Sequence, residues 1–519
     1  MRTALVAVLW LFAGTSVALP QASSSVDRKA ATDFEAGRVA DAETALEAVL
    51  RADPRDLSAL SLMAVILDSQ RKYSEAEEFY RRALQIAPGS TALLNNLGNH
   101  HLAAGNPQKA EESFRRVVAI DPHHVNANLQ LAAMGVERKD GAEALACLRR
   151  LPATAQAESV AQMLEAQALV LKGDCKRATP VLNALEEKTD QDPHFSFSIG
   201  LGYAQCQQYD QAEKSFSEAL RADPSNFDVL YNLGVAARRA GHLERAQQVF
   251  EAALRSKPED IDALYAYGDL LMANKDSLTA SAILYRAARL APDRADVLLL
   301  LANSTEALGY YEDTTSTLEK YLKLRPNDEV ARRELGFTLI LSGRFEEGLP
   351  KLRQFVLRHP HDARGQYELG TGEASASPEK AMAHLDEALK LDPTMFEARY
   401  TRAALNFQNN KLNQSLADFE ALRKIDPNNP RVLDWQARIY LQQDRAQEAA
   451  PLLQRAAELD PHNRAILIHY SQALEKLGRT EELKAVLASF KEAAAGGAHP
   501  RASSGLLDFL ALSPEQQGA

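Results

Sequence analysis

The histidines and cysteines are the residues whose chemistry would show first. His100-His101, His123-His124 and the run His359-Pro360-His361 lie close in sequence. A zinc site needs three or four ligands converging from spaced positions. Adjacent histidines on a helix point in different directions, and no cysteine or acid beside them completes a zinc spacing. Catalysis finds no other foothold. No glycine-rich phosphate loop follows a strand, because no strand pattern exists to precede one. Asp and Glu residues follow helix surfaces, which is their ordinary solvated role. These residues point to no catalytic site, no metal and no cofactor, and therefore to a chain that is not an enzyme. Three cysteines, Cys147, Cys175 and Cys206, are too few for a disulfide-built fold, and the number is odd. Whether two of them meet depends on the elements that carry them.

Those elements are helical. The 519 residues are rich in Ala and Leu and only 7% aromatic, which favours helix over sheet. The formal net charge of -11 gives no general reason to approach nucleic acid or an anionic membrane. Residues 1–22 have the layout of a secretory signal peptide: Arg2, an apolar run from Ala4 to Leu19, and small residues around Ser16-Val17-Ala18 and Ala22. Export to the periplasm or the exterior is the expectation. A retained anchor through residues 4–19 is the alternative, although that run is short of the roughly 20 residues a span needs. Absence of any targeting role is a third reading. Membrane association is expected only if the segment is retained.

A proline recurs at Pro54, Pro88, Pro122, Pro224, Pro258, Pro292, Pro326, Pro360, Pro393, Pro427 and Pro461, mostly 34 residues apart, once 33, and once 102 across three periods. Within that period the pattern repeats in register. The unit from Phe227 shows Leu230, Leu233, Gly234, Gly241, Ala246, Phe250, Ala253 and Pro258; the one from Thr91 shows Leu94, Leu97, Gly98, Gly105, Ala110, Phe114 and Pro122. Each holds two apolar-periodic segments of about a dozen residues, split by a turn that usually contains glycine. Glycine inside a helix costs roughly 1 kcal/mol against alanine. Its recurrence at Gly98, Gly200, Gly234, Gly268 and Gly336 implies close helix contact.

In period and in its large, small and proline positions this pattern resembles the tetratricopeptide repeat, of an exported bacterial type. The resemblance implies an all-α fold, an α-solenoid in which about fourteen helical hairpins form a right-handed superhelix. Units begin near 23, 57, 91, 125, 159, 193, 227, 261, 295, 329, 363, 396, 430 and 464. They fill residues 23–492, followed by a flexible tail over 493–519 with a possible short helix at 506–512. The unit at 363 is one residue short, most simply in the turn between Thr371 and Pro378. In the unit at 396, Arg399 and Arg402 replace apolar positions; the expectation is that their stems lie over apolar surface, and a locally loosened seam is the alternative. Cys175 falls near the start of a second helix and Cys206 near the end of the next first helix. Those ends meet, so the pair could oxidise in an exported protein; free thiols are the alternative, and the Cα separation decides. Cys147 is left over and is expected to be buried.

In members of this family the first helices line a concave face that takes extended peptides. By position, Phe197, Tyr231, Tyr265, Tyr367 and Tyr400 would form an aromatic stripe there, broken by Leu299 and Arg333. Packing against the neighbouring helix is the competing role. Asp228, Asp262 and Asp296, joined by Asp269, would favour a basic partner segment; the competing role is stabilisation of helix N-termini. The implied partner is a protein or peptide, with no nucleic acid and no small-molecule substrate. A non-catalytic scaffold or adaptor is the leading expectation. A structural component of an envelope assembly or export complex, and the targeting arm of a separate enzyme, are the alternatives.

Overall fold

The computed structural model describes residues 25–188 and 192–495. The segment expected to direct export, the chain end and the helix expected at 506–512 lie outside the described residues. Those residues hold helices and no strand. Fourteen antiparallel hairpins follow one another, with one short extra helix, Ala153–Gln156. First helices start at Ser25, Leu57, Thr91, Val125, Ser159, Pro193 and Phe227 in the unit of residues 1–258, and at Ile261, Ala295, Glu329, Ala363, Phe396, Pro430 and Arg464 in the unit of residues 259–519. Each hairpin is named below by that first residue. The last helix, Thr480–Ala495, takes in Ala493 to Ala495, three residues expected to belong to the flexible tail; alanine is the best helix former and simply extends it.

One notch recurs in several hairpin seams. A Cβ placed on Gly98 would lie 2.5 Å from the Phe114 ring, on Gly200 2.7 Å from Phe216, on Gly234 2.8 Å from Phe250 and on Gly268 2.7 Å from Leu284. The large second-helix side chain fills the space that glycine leaves in the first helix. Phe114, Phe216 and Phe250 are fully buried as a result, each ring removing apolar area worth roughly 2–3 kcal/mol from water. The turn is equally regular. Gly105, Gly173, Gly241, Gly309, Gly343 and Gly478 have positive φ, and so do Arg71, Lys139, Gln207, Lys275, Asn410 and Asp444 at the same place in their hairpins. The hairpin at Ala363 lacks this residue. Its first helix ends at Glu373, and Ser377 leads directly into Pro378–Leu391 with φ at -149°. The missing residue of the 33-residue unit is the left-handed one.

At Gly348 the approach is closer still. A Cβ there would sit 2.6 Å from the Gly336 carbonyl oxygen and 2.9 Å from Ile340. A backbone acceptor cannot swing aside. Gly348→Ala is therefore expected to destabilise by about 1–3 kcal/mol through overpacking, reversing the roughly 1 kcal/mol gain that alanine brings to an open helix site. Thermal unfolding of this variant beside Gly89→Ala, where a Cβ meets nothing within 4 Å, measures the difference. An unchanged or raised midpoint in Gly348→Ala would refute the contact.

The arginines at Phe396 are held by their heads. Both guanidinium groups reach carboxylates. Arg402 donates from Nε and Nη2 to both oxygens of Asp418 at 2.9 and 2.6 Å, and from Nη1 to Asp386 at 2.8 Å. Arg399 lies 3.5 Å from the same Asp418 carboxylate. Asp418 is buried on the facing second helix, and an unpaired charge there would cost several kcal/mol. Two arginines and one aspartate replace an apolar seam as a matched set.

Candidate functional site

The histidine runs hold structure. His100 Nδ1 is 2.6 Å from Asp68, whose other oxygen accepts from the Tyr80 hydroxyl at 2.9 Å. His123 contacts the Arg150 carbonyl, and His359 pairs with Glu329. Among the described residues no group of three His, Cys, Asp or Glu could hold a metal ion. Cys175 and Cys206 are joined by a disulfide with a Cα separation of 5.5 Å. Cys147 is free and buried, and burial pushes its thiol pKa up. No described helix is long and apolar enough to cross a membrane.

The aromatic stripe is not an open surface. Tyr231, Tyr367 and Tyr400 are only 8, 4 and 6% exposed. Tyr231 meets Phe227 and Phe250; Tyr400 meets Phe396 and Phe419 and accepts a 2.7 Å hydrogen bond from the Trp435 indole. Their rings complete seams between helices, where a large apolar body gains more than it would at the rim. Phe197 and Tyr265 remain half-buried, and Phe197 packs on Phe216. The acidic row is also spent in part. Arg294, just before the hairpin at Ala295, donates to Asp296 at 2.8 and 2.7 Å and to Asp262 at 3.0 Å. The guanidinium holds the Asp296 carboxyl below its usual range. Asp228, Asp262 and Asp296 all stand in first turns of their helices, where the backbone dipole favours acids. Asp269 is half-buried further along its helix.

Two other sites emerge on first helices of the second unit. One is a charged cluster from three successive hairpins: Glu306 at Ala295, Arg333 and Glu334 at Glu329, Arg364 and Glu368 at Ala363. Arg364 Nε donates to Glu368 Oε1 at 2.8 Å, and Arg333 Nε lies 3.3 Å from Oε2. The Glu368 side chain is 2% exposed and that of Arg333 12%. Tyr367 serves here as a platform: the Arg364 guanidinium is 5.3 Å from its centroid and 5.9 Å from that of Phe337. Burial pushes Glu368 up to about 7 against the pull of both arginines. Burial also raises Glu306 and Glu334. Glu334 is 3.7 Å from Arg333, and among the described residues Glu306 has no cation within 4 Å. The signal was present in the fifth-position series, where Arg333 stands as the charged member among rings.

The second site is a cavity of about 450 Å³ lined by Phe407, Arg438, Leu441, Gln442, His469 and Gln472, with Glu475 and Lys476 at its edge. These side chains come from the first helices at Phe396, Pro430 and Arg464. The repeat pattern does not single out Arg438. Its only cue was a cation one turn after Trp435.

One tetratricopeptide-repeat profile matches residues 29–91, and a second matches 101–168, 203–270, 374–439 and 440–504, more than half of the chain. The chain belongs to the tetratricopeptide-repeat family. Its hairpins are the repeats, its fold class is the α-solenoid, and repeat solenoids of this family typically act as protein-interaction scaffolds, generally without catalysis. Among curated proteins, this tetratricopeptide-repeat chain is 31% identical over 105 residues to Protein CTR9 homolog of Arabidopsis thaliana, 20% of this chain and 10% of that one. The chain thus matches about a tenth of that relative's length. Among solved structures it is similar to Cut9 in the APC/C hetero-tetramer Cut9-Hcn1 (15% identity, 86% of this chain and 95% of that one, TM-score 0.40) and to yeast Tom70 (16%, 82% and 96%, TM-score 0.39).

Proposed function

We propose that this protein is a non-catalytic scaffold that binds peptide segments of partner proteins on the first-helix face of its second unit. The charged cluster carries the reading. Three glutamates face two arginines, and Glu306 and Glu334 are half-buried without a close, well-aligned cation. Desolvating a carboxylate costs free energy that no hairpin seam here requires. Such groups stand ready for a cationic side chain of a partner, which would supply the missing charge. Export remains our reading of residues 1–22, supported by their composition and by a disulfide, which persists in oxidising compartments.

Capture of partners by the full chain tests the site. Glu306→Gln with Glu334→Gln is expected to lose at least tenfold in recovered partner, while the thermal midpoint holds or rises because two desolvated charges are gone. Equal recovery by variant and wild type would overturn the site.

A further inference from the structure

The cavity at the hairpins Phe396, Pro430 and Arg464 is separate from the charged cluster, and its chemistry has the opposite sign. Arg438 is its centre. The guanidinium carbon sits 3.9 Å over the Trp435 ring and 5.1 Å from the Phe407 centroid. Trp435 is fixed from beneath: it stacks on Phe419 at 5.5 Å, meets Phe407 edge-on at 5.2 Å and donates to Tyr400. The arginine head is therefore held at a defined place over rings that satisfy none of its N–H donors.

Other interior arginines of this unit have carboxylates: Arg402 has Asp418, and Arg364 has Glu368. Arg438 has none within 4 Å among the described residues. The nearest acid on its own helix, Asp434, is turned to His469 Nδ1 at 2.7 Å. At the edge, Lys476 is paired with Asp444. Glu475 is exposed and paired with no cation among the described residues. Burial is the largest influence on Arg438 and lowers its pKa, so Asp434 does not make good the lost hydration. A guanidinium with five donors, ring-stacked, desolvated and facing an open cavity, is a receptor for a planar anion.

We propose that this cavity binds an extended peptide segment of a partner protein through one Glu or Asp side chain, whose carboxylate pairs with Arg438. The occupant follows from charge and shape. The site has one unpaired cation, which suits one carboxylate. Exposed Glu475 at the edge disfavours a second acid beside the first. Gln472 and the Gln442 amide can hydrogen-bond a peptide backbone that continues past the arginine, while Phe407 and Leu441 take its apolar neighbours. The proposal rests on the scaffold reading but uses different residues.

A displayed library of random peptides, panned on the full chain, tests it. Enriched sequences are expected to share one acidic position. For a selected peptide, calorimetric titration should show affinity at least tenfold weaker when that residue is changed from Glu to Gln, and similarly weaker on Arg438→Gln protein. The two changes together should cost little more than either alone, because both delete the same contact. The peptide change leaves the protein intact, so misfolding cannot imitate it. Enriched peptides without an acidic position, or equal affinity for wild type and Arg438→Gln, would overturn the proposal. If those peptides instead lost affinity for Glu306→Gln with Glu334→Gln, the scaffold reading would stand while the Arg438 site fell. No enrichment at all would count against both.

Discussion

Opening the Cys175–Cys206 bond is expected to destabilise the first unit by on the order of 4 kcal/mol. The bond links residues 31 apart, and loop-closure entropy for a loop of that length gives about that figure. Its placement explains why the cost should be felt locally. Cys175 begins the second helix of the hairpin at Ser159, and Cys206 follows the first helix of the hairpin at Pro193. Glycine at 202 leaves room there: a Cβ would be 2.9 Å from Leu182, so the helices approach closely. The crosslink ties one repeat to the next, and in a repeat array stability is carried by such nearest-neighbour interfaces. Hydrogen exchange should therefore accelerate most in residues 159–188 and 192–219 after reduction or in the Cys175→Ser, Cys206→Ser double variant. Thiol counting gives a direct check: the denatured, unreduced chain should offer one reactive thiol, from Cys147, and the reduced chain three. Three thiols without reductant, or a midpoint indifferent to reductant, would remove the bond from the account.

How far the sequence alone could lead is set by which interactions are periodic. The fold class was legible because the same notch recurs: a glycine such as Gly98 or Gly234, its ring Phe114 or Phe250, and a proline after the second helix all repeat at fixed distances. Periodic burial is a backbone property, and every repeat restates it. The sites were not legible in the same way. Position within a repeat places Tyr231, Tyr367 and Tyr400 on first helices, but it does not say whether a ring leans into the groove or into the next helix. Phe227 beside Tyr231, Phe337 beside Tyr367, and Phe396 and Trp435 beside Tyr400 draw those rings inward. The acids show the converse. Asp262 and Asp296 look like a row until Arg294, which lies between helices and outside the repeated positions, reaches both. Arg399 and Arg402 look like a damaged seam until Asp418 is seen across it. Arg438 could be recognised only by what is missing around it, and no one-dimensional pattern records that. Local partners that occur once, and so have no period, decide the chemistry of this surface.

Glu368→Gln is expected to become progressively more stable relative to wild type as pH rises from 5 to 8. Glu368 ordinarily titrates near 4.5 and in the folded chain near 7, because burial outweighs the attraction of Arg333 and Arg364. Between those values the folded state holds a proton that the unfolded state has released. Stability tied to this group is then complete below the unfolded value, falls as pH rises through the window, and is fully lost above about 7. Converted at 1.36 kcal/mol per unit, the displacement corresponds to on the order of 3 kcal/mol. Glutamine carries no such titration but keeps a carbonyl that can accept from Arg364 Nε. Subtracting the variant from wild type cancels the other acids, whose own contributions run through both curves. Glu306 belongs to the same balance, since its charge pushes Glu368 further up. Glu306→Gln should therefore make the decline smaller and end it at lower pH than in the wild type, because Glu368 would ionise more readily and at less cost. Denaturant midpoints at pH 5, 6, 7 and 8 would show both effects. A constant gap between Glu368→Gln and wild type would mean that Glu368 is ionised throughout, fully compensated by its two arginines. The cluster would then be a closed ion-pair network with no charge to offer. If the gap widens as expected, a cationic partner should bind more tightly across the same interval, since its charge would stabilise the ionised carboxylates that the empty protein disfavours.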